Sequence, residues 1–259
     1  MIVGLTSVAR VNPYATLLID ELRRRQVPVD FVLSAERGHT GDLWERWKRR
    51  GFAGALEAIR RRAGGNSPGP QPLAEAASER GLDLSLPMAA VCKRTSTRLL
   101  LVQSLASRET ADAVRARSTE VLINAGGGLF RRRLLEAPSR GLLNAHMARL
   151  PALRGVDVLE WSLLLGEAPG VTVHWIDGGV DTGVILGFSP LEVATDETLE
   201  SLRERAVVLS ARAIAEQVAR LQQAEGTVET SGSNAVPQYF ALHPRLRQRA
   251  AARLMENVD

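Results

Sequence analysis

Residues 2–33, IVGLTSVARVNPYATLLIDELRRRQVPVDFVL, set the architecture. Residues 2–7 are a short apolar run of the kind that forms a buried strand. Residues 15–26 place Leu17, Leu18 and Leu22 at helical spacing, and residues 29–33 alternate and carry β-branched side chains, so a helix and a second strand follow. Strand, helix and strand in that order make a right-handed βαβ unit and a parallel sheet. The expected fold is therefore α/β, a Rossmann-like and mostly parallel sheet flanked by helices.

Outward from this unit, residues 43–63 read as a helix with Trp44, Trp47, Leu56 and Ile59 near one face, where core or interface packing suits both tryptophans. Residues 64–72, GGNSPGPQP, have the composition of a surface loop. Helices are expected over 73–80 and 109–117, a strand over 121–125, a helical turn over 132–137 and a strand over 142–145. A further strand covers 171–175, with Thr172 and His174 on one face. A helix runs from about Glu197 to Gln223, apolar at Leu199, Leu202, Ala206, Leu209 and Ile214. The breaker-rich residues 226–234 read as a linker to a basic tail helix beginning near Pro244. This divides the chain into a main domain over 1–223 and a linker with helical tail over 224–259, the tail docking on its own core or on a second subunit.

The strand over 142–145 ends at Asn144-Ala145-His146, and Asp181 follows 35 residues after His146 within Val-Asp-Thr-Gly. Ligands of open α/β sheets bind beyond the carboxyl ends of strands, so this placement favours a site. An amide, an imidazole and a carboxylate that can orient it suffice for acyl transfer to an amine. Such a reaction passes through a tetrahedral oxyanion and moves protons between two nitrogens. His146 can donate to the oxygen or accept a proton, and Asn144 adds a neutral donor. Each residue alone is as easily structural; the joint pattern with its flanks carries the catalytic reading.

Those flanks, NAHMARLPALRGVDVLEW (144–161) and GVTVHWIDGGVDTGVIL (170–186), resemble the formyltransferase family that uses 10-formyltetrahydrofolate. The shared pattern is N-x-H, L-P-x-x-R-G, G-V-T-x-H and D-T-G, clearest from Glu120 to about Leu209. The resemblance implies Asn144, His146 and Asp181 as catalytic residues, with His174 in structural support. It implies a folate slot between Gly128, Leu129 and Phe130 on one side and Asp177, Gly178, Gly179 and Val180 on the other. Three consecutive glycines, Gly126 to Gly128, depart from the family's bulkier loop and predict a wider slot. Arg154 could face the acceptor or pin its loop through carbonyl contacts. The expected activity is an N-formyltransferase with 10-formyltetrahydrofolate as donor and no metal; hydrolysis of that donor, or folate binding without catalysis, are the alternatives.

The acceptor side departs from the best-known patterns. Ser7-Val8-Ala9-Arg10-Val11-Asn12 replaces the glycine-, serine- and asparagine-rich phosphate loop of enzymes acting on glycinamide ribonucleotide. The segment after Gln223 is shorter than the C-terminal domain of methionyl-tRNA formyltransferases, and no regulatory domain of the hydrolase kind precedes Ile2. A small amine remains, an amino sugar, often nucleotide-linked, or a specialised-metabolite amine, with Arg10 and Asn12 as acceptor residues.

Composition fits an ordinary globular protein: 45% hydrophobic, 24% charged and a net charge of +4. Absence of a membrane-length apolar run and of a basic start predicts a cytoplasmic protein without membrane partners. The arginine clusters at 23–25, 60–62 and 131–133 read as solvated helix faces, and scarce aromatics argue against nucleic-acid binding. Cys92, the single cysteine, reads as a small hydrophobe. A homodimer would form through the helix after Glu197 or through the tail.

Overall fold

The structure is a computed structural model that describes residues 1–35, 71–126, 129–195, 197–223 and 236–256. The expected helix over 43–63 with its tryptophans, the arginines at 60–62, nearly all of the loop over 64–72 and the linker over 226–234 lie outside the described residues.

Strand β1 (Val3–Ser7) is followed by α1 (Pro13–Arg24) and β2 (Phe31–Ser34). Asn12 caps α1 by accepting from Ala15 N at 3.0 Å, Pro13 supplies a preset φ at its first turn, and Arg23 and Arg24 complement its dipole at the last. Next come α2 (Pro72–Glu79), α3 (Met88–Arg94), β3 (Arg98–Leu101), α4 (Arg108–Arg115) and β4 (Val121–Asn124). After α5 (Arg132–Leu135), the chain forms β5 (Gly141–His146), the two-residue β6 (Arg154–Gly155), α6 (Val158–Leu165), β7 (Gly170–Trp175) and β8 (Ile185–Pro190). The long α7 (Leu199–Gln222) opens on a reciprocal capping box of Thr198 and Ser201. The tail supplies β9 (Gln238–Tyr239) and α8 (Pro244–Glu256).

The main sheet has the order β3-β2-β1-β4-β5-β7-β8. The first five strands run parallel, and β7 and β8 add antiparallel edges. Strand alternation separates two cores. Val3, Leu5, Val32, Val121, Ile123 and Leu143 pack with α1 and α7, whereas Phe31, Leu33, Leu122 and Leu142 pack with α4. Burial on both faces explains why these strands are nearly all apolar in sequence. The α/β expectation holds.

Strand order reverses between β1 and β4, the switch point at which open α/β sheets gather ligands. Asn12 bridges it, donating from Nδ2 to Ala125 O at 2.6 Å and to Ser7 Oγ at 3.1 Å. The tail packs on its own chain: β9 pairs in parallel with β6, and α8 lies against α6. Asp157 Oδ2 accepts from Leu242 N at 3.0 Å and Arg247 Nη2 at 2.9 Å, and the buried Glu160 pairs with Arg203.

Several described arginines of the clusters at 23–25 and 131–133 are paired with carboxylates. Arg24 pairs with Asp20, Arg25 with Glu21, and Arg132 with Glu136. Cys92 is buried, which pushes its thiol up to about 11 and makes it a poor nucleophile. Among the described residues, no helix is long and apolar enough to cross a membrane.

Candidate active site

Strand β5 ends at the carboxyl edge of the sheet and delivers Asn144 and His146 there; β7 runs back beside it, pairing Asn144 with His174 and His146 with Thr172. Asp181 arrives from the turn that follows β7, its backbone in the left-handed region at φ 53°. The three residues predicted as catalytic thus come together from one strand and one turn, with β7 setting His174 beside them.

Two different frames hold them. His146 is buried, and its Nε2 lies 2.7 Å from Leu153 O. A carbonyl only accepts, so Nε2 carries hydrogen and Nδ1 is the nitrogen left to exchange a proton. Nδ1 lies 3.5 Å from Asp181 Oδ2, a charge contact longer than a hydrogen bond. That same Oδ2 accepts from Gly155 N at 2.9 Å. The loop between β5 and α6 therefore anchors the imidazole through Leu153 and the carboxylate through Gly155. Gly155 sits at φ +115°, and a Cβ there would strike Tyr239 O, which is how closely the tail strand approaches.

Asn144 is held by side chains. Its Oδ1 accepts from Asn124 Nδ2 at 3.0 Å, and its Nδ2 donates to His174 Nε2 at 3.2 Å. His174 in turn donates from Nδ1 to Trp175 O at 2.9 Å and is 1% exposed. Burial, and next the neighbouring His146, hold its protonation below the usual imidazole range. A neutral ring with a lone pair on Nε2 follows, matched to the Asn144 donor. Asp181 Oδ1 lies 3.7 Å from the same nitrogen, so the carboxylate stands between the two imidazoles.

On the proposed folate side, Leu129 is 87% exposed and Phe130 is half-buried against the α4 core; Gly128 lies outside the described residues. In the turn after β7, Asp177 Oδ1 accepts from Gly179 N at 2.9 Å and Thr182 Oγ1 at 2.6 Å. A side chain at Gly178 would meet nothing within 4 Å, so the backbone there is open to a ligand, and Val180 presents its carbonyl to Arg154 Nη1 at 3.2 Å.

Of the acceptor-side residues, Arg10 is exposed in the loop after β1. Asn12 is 7% exposed, and its amide is used by the helix cap and the switch-point bridge, which shape that loop. Arg154 is likewise buried, and its guanidinium donates to Val180 O and to Val236 O at 2.5 Å from Nη2. These contacts pin the loop, one of the two roles the sequence left open for it.

Sequence reasoning missed Asn124, Thr172 and the backbone of Leu153 and Gly155. Thr172 Oγ1 donates to Ala148 O at 2.6 Å and accepts from Leu150 N at 3.1 Å, stitching the loop after His146 to β7. A lone asparagine ending the apolar run Val-Leu-Ile was the available signal for Asn124; no side-chain pattern marks a carbonyl or an amide. Among the described residues, no cluster of three His, Cys, Asp or Glu is placed to hold a metal ion.

The chain is 33% identical over 119 residues to the methionyl-tRNA formyltransferase of Chromobacterium violaceum, a match covering 45% of this chain and 39% of that protein. The chain thus spans about two fifths of the length of such curated relatives. Its fold is that of glycinamide ribonucleotide transformylase 1 from Symbiobacterium toebii, with a TM-score of 0.59, 20% identity, and coverage of 90% of this chain and 95% of the other. The formyltransferase PseJ from Anoxybacillus kamchatkensis, solved with UDP-4,6-dideoxy-4-formamido-L-AltNAc and tetrahydrofolate, is similar at a TM-score of 0.50 and 16% identity over 66% of this chain and 94% of its own. A family model described as Formyl transferase matches residues 72–218, more than half of the sequence and all of the site from Asn124 to Asp181, and the chain belongs to that family.

Proposed function

We propose that the protein transfers a formyl group from 10-formyltetrahydrofolate to the primary amine of a small molecule. The observation that carries this is the meeting of Asn144, His146 and Asp181 at the carboxyl edge of the sheet, with a proton-exchanging His146 Nδ1 facing a carboxylate. Family membership and the tetrahydrofolate in the PseJ structure support the donor. The donor supplies the formyl carbon, seated between residues 128–130 and 177–180.

Asn144 donates to the oxygen as negative charge develops on it, a role for which a neutral amide loses no proton. His146 takes the proton that the acceptor amine sheds and returns one to the departing folate nitrogen, so proton count is conserved. Asp181 stabilises the imidazolium formed in between. Leu153 and Gly155 hold both partners by backbone, which limits reorganisation during the step.

We assign the acceptor as an amino sugar, often nucleotide-linked, or a comparable small amine. Exposed Arg10 beside the switch point suits an anionic group on it, and the sugar nucleotide in the PseJ structure supports the class. Residues 1–223 form the catalytic unit in this reading and the tail its brace.

The test is incubation with 10-formyltetrahydrofolate and a panel of amines that includes amino-sugar nucleotides, followed by folate absorbance and product mass. Amine-dependent gain of one formyl group, lost in His146→Ala that still folds, is the expected result. Folate release without a formylated amine would replace transfer by hydrolysis, and no release from a protein that still binds a folate analogue would sink the catalytic reading.

A further inference from the structure

The end of β4 carries a residue to which nothing above gives a role in the reaction. Ile123 and Leu143 are register partners, so Asn124 and Asn144 follow side by side on adjacent strands. Gly126 N donates to Asn124 Oδ1 at 3.0 Å, and Asn124 Nδ2 donates to Asn144 Oδ1 at 3.0 Å. Asn144 Nδ2 meets His174 Nε2 at 3.2 Å, and His174 Nδ1 meets Trp175 O at 2.9 Å.

The two ends of this chain have fixed polarity. A backbone N–H at Gly126 only donates, which decides that the oxygen of Asn124 faces it and its NH2 faces Asn144. A carbonyl at Trp175 only accepts, which decides that His174 carries its proton on Nδ1 and a lone pair on Nε2. Both ends demand the same direction for the bonds between them. Flipping either amide would set two donors against each other at one contact and two acceptors at the next. At the part-buried contacts between Asn124, Asn144 and His174, each such mismatch sets like groups face to face and costs more than the lost bond contributes.

We infer that Asn124 is a positioning residue that sets the polarity of the Asn144 amide and so turns its N–H groups, not its oxygen, toward the reacting centre. This rests on the reading of Asn144 as the oxyanion donor. An asparagine alone is a poor oxyanion donor, because its two ends are alike in shape and a flipped amide repels the oxyanion that the other orientation stabilises. The bond from Asn124 removes that ambiguity, and the buried, neutral His174 reads it out on the far side.

Asn124→Asp tests this with minimal change of shape. Aspartate still accepts from Gly126 N but offers Asn144 only oxygen, so Asn144 turns over to donate to it and points its own oxygen at His174 Nε2. That nitrogen then gains a proton. The measurement is the 15N chemical shifts of the His174 ring in the ligand-free protein across the neutral pH range, beside kcat and KM for formyl transfer. Asn124→Asp is expected to add a proton at His174 Nε2 while Nδ1 keeps the one it donates to Trp175 O, and to lower kcat on the order of a hundredfold, with KM within about threefold. Asn124→Ala releases the lock without reversing it, so a mixture of bare and protonated Nε2 and roughly a tenfold loss are expected.

Wild-type ring shifts in whichever of the two variants folds would overturn the proposal, as would equal losses in both that track a lowered Tm. A wild-type protein that formylates no amine would instead defeat the proposed activity. The ring shifts are read without substrate, so they still decide whether Asn124 sets the Asn144 amide.

Discussion

The two halves of the site are built by different means. The Asn144 side is a line of side chains across β4, β5 and β7, each fixed by a neighbour in the same sheet. The His146 and Asp181 side is held by backbone groups of the loop after β5, which is itself clamped by the tail strand through β6 and β9. The first frame inherits the rigidity of a central sheet; the second depends on a two-residue pairing to a distant part of the chain. Chemistry at an amide needs orientation, and the sheet supplies it. Proton transfer at an imidazole needs a set tautomer, which a single carbonyl can supply from a loop.

The largest effect should come from removing the working group of the sheet-held half. Asn144→Ala is expected to lower kcat on the order of a hundredfold or more, equivalent to at least about 2.7 kcal/mol of transition-state stabilisation, while thermal unfolding shifts little. A modest kcat loss with a raised KM would show instead that Asn144 binds the ground state.

Next is the joint that holds the loop-built half. Gly155→Ala puts a side chain at φ +115° and against Tyr239 O, so a stability loss of about 2 kcal/mol is expected from urea unfolding, with faster amide exchange over residues 236–256. If the variant were as stable as the wild type, the tail strand would not be the clamp described here.

A smaller effect separates the two histidines by pH. His174 is disfavoured as a cation in the folded state, so the unfolded chain takes up the proton first as pH falls. Its contribution to stability is complete above the unfolded value near 6.5 and is lost as pH drops below it toward the depressed folded value. Urea midpoints at neutral and mildly acidic pH should therefore fall more steeply in the wild type than in His174→Gln. Parallel slopes would remove His174 as the buried neutral ring.

The smallest expected change is at the edge of the tail. Arg247 is 43% exposed and Asp157 19%, so solvent screening reduces their pairing, and Arg247→Ala should cost about 0.5 kcal/mol while leaving kcat intact. A large loss of activity would mean that α8, as well as β9, braces the site.

Legibility followed burial and length. The strands at 2–7, 121–125 and 142–145 were readable because burial on both faces forces apolar runs. α1 and the helix after Thr198 were readable from apolar periodicity, and the tail helix from the basic run that begins near Pro244. β3 was not: Arg98-Leu99-Leu100-Leu101 is an edge strand with exposed ends, lacking alternation. α6 has an uncapped start at Asp157, in the left-handed region, and an apolar surface nearly all round, so no helical face marks it in sequence. β6 and β9 are two residues each, too short for any period.

The sequence by itself determined the α/β order and the family, and it singled out Asn144, His146 and Asp181 as candidates, because these depend on local pattern and residue chemistry. Only the tertiary structure decided how each is held. It spent Asn12 on a bridge to Ala125 O and Arg154 on backbone carbonyls, set Asn124 beside Asn144, and brought Tyr239 against Gly155. Each of those facts is a hydrogen bond or a close approach between residues distant in sequence, and the direction of such bonds is fixed by carbonyl and amide groups that every residue shares and no sequence pattern displays.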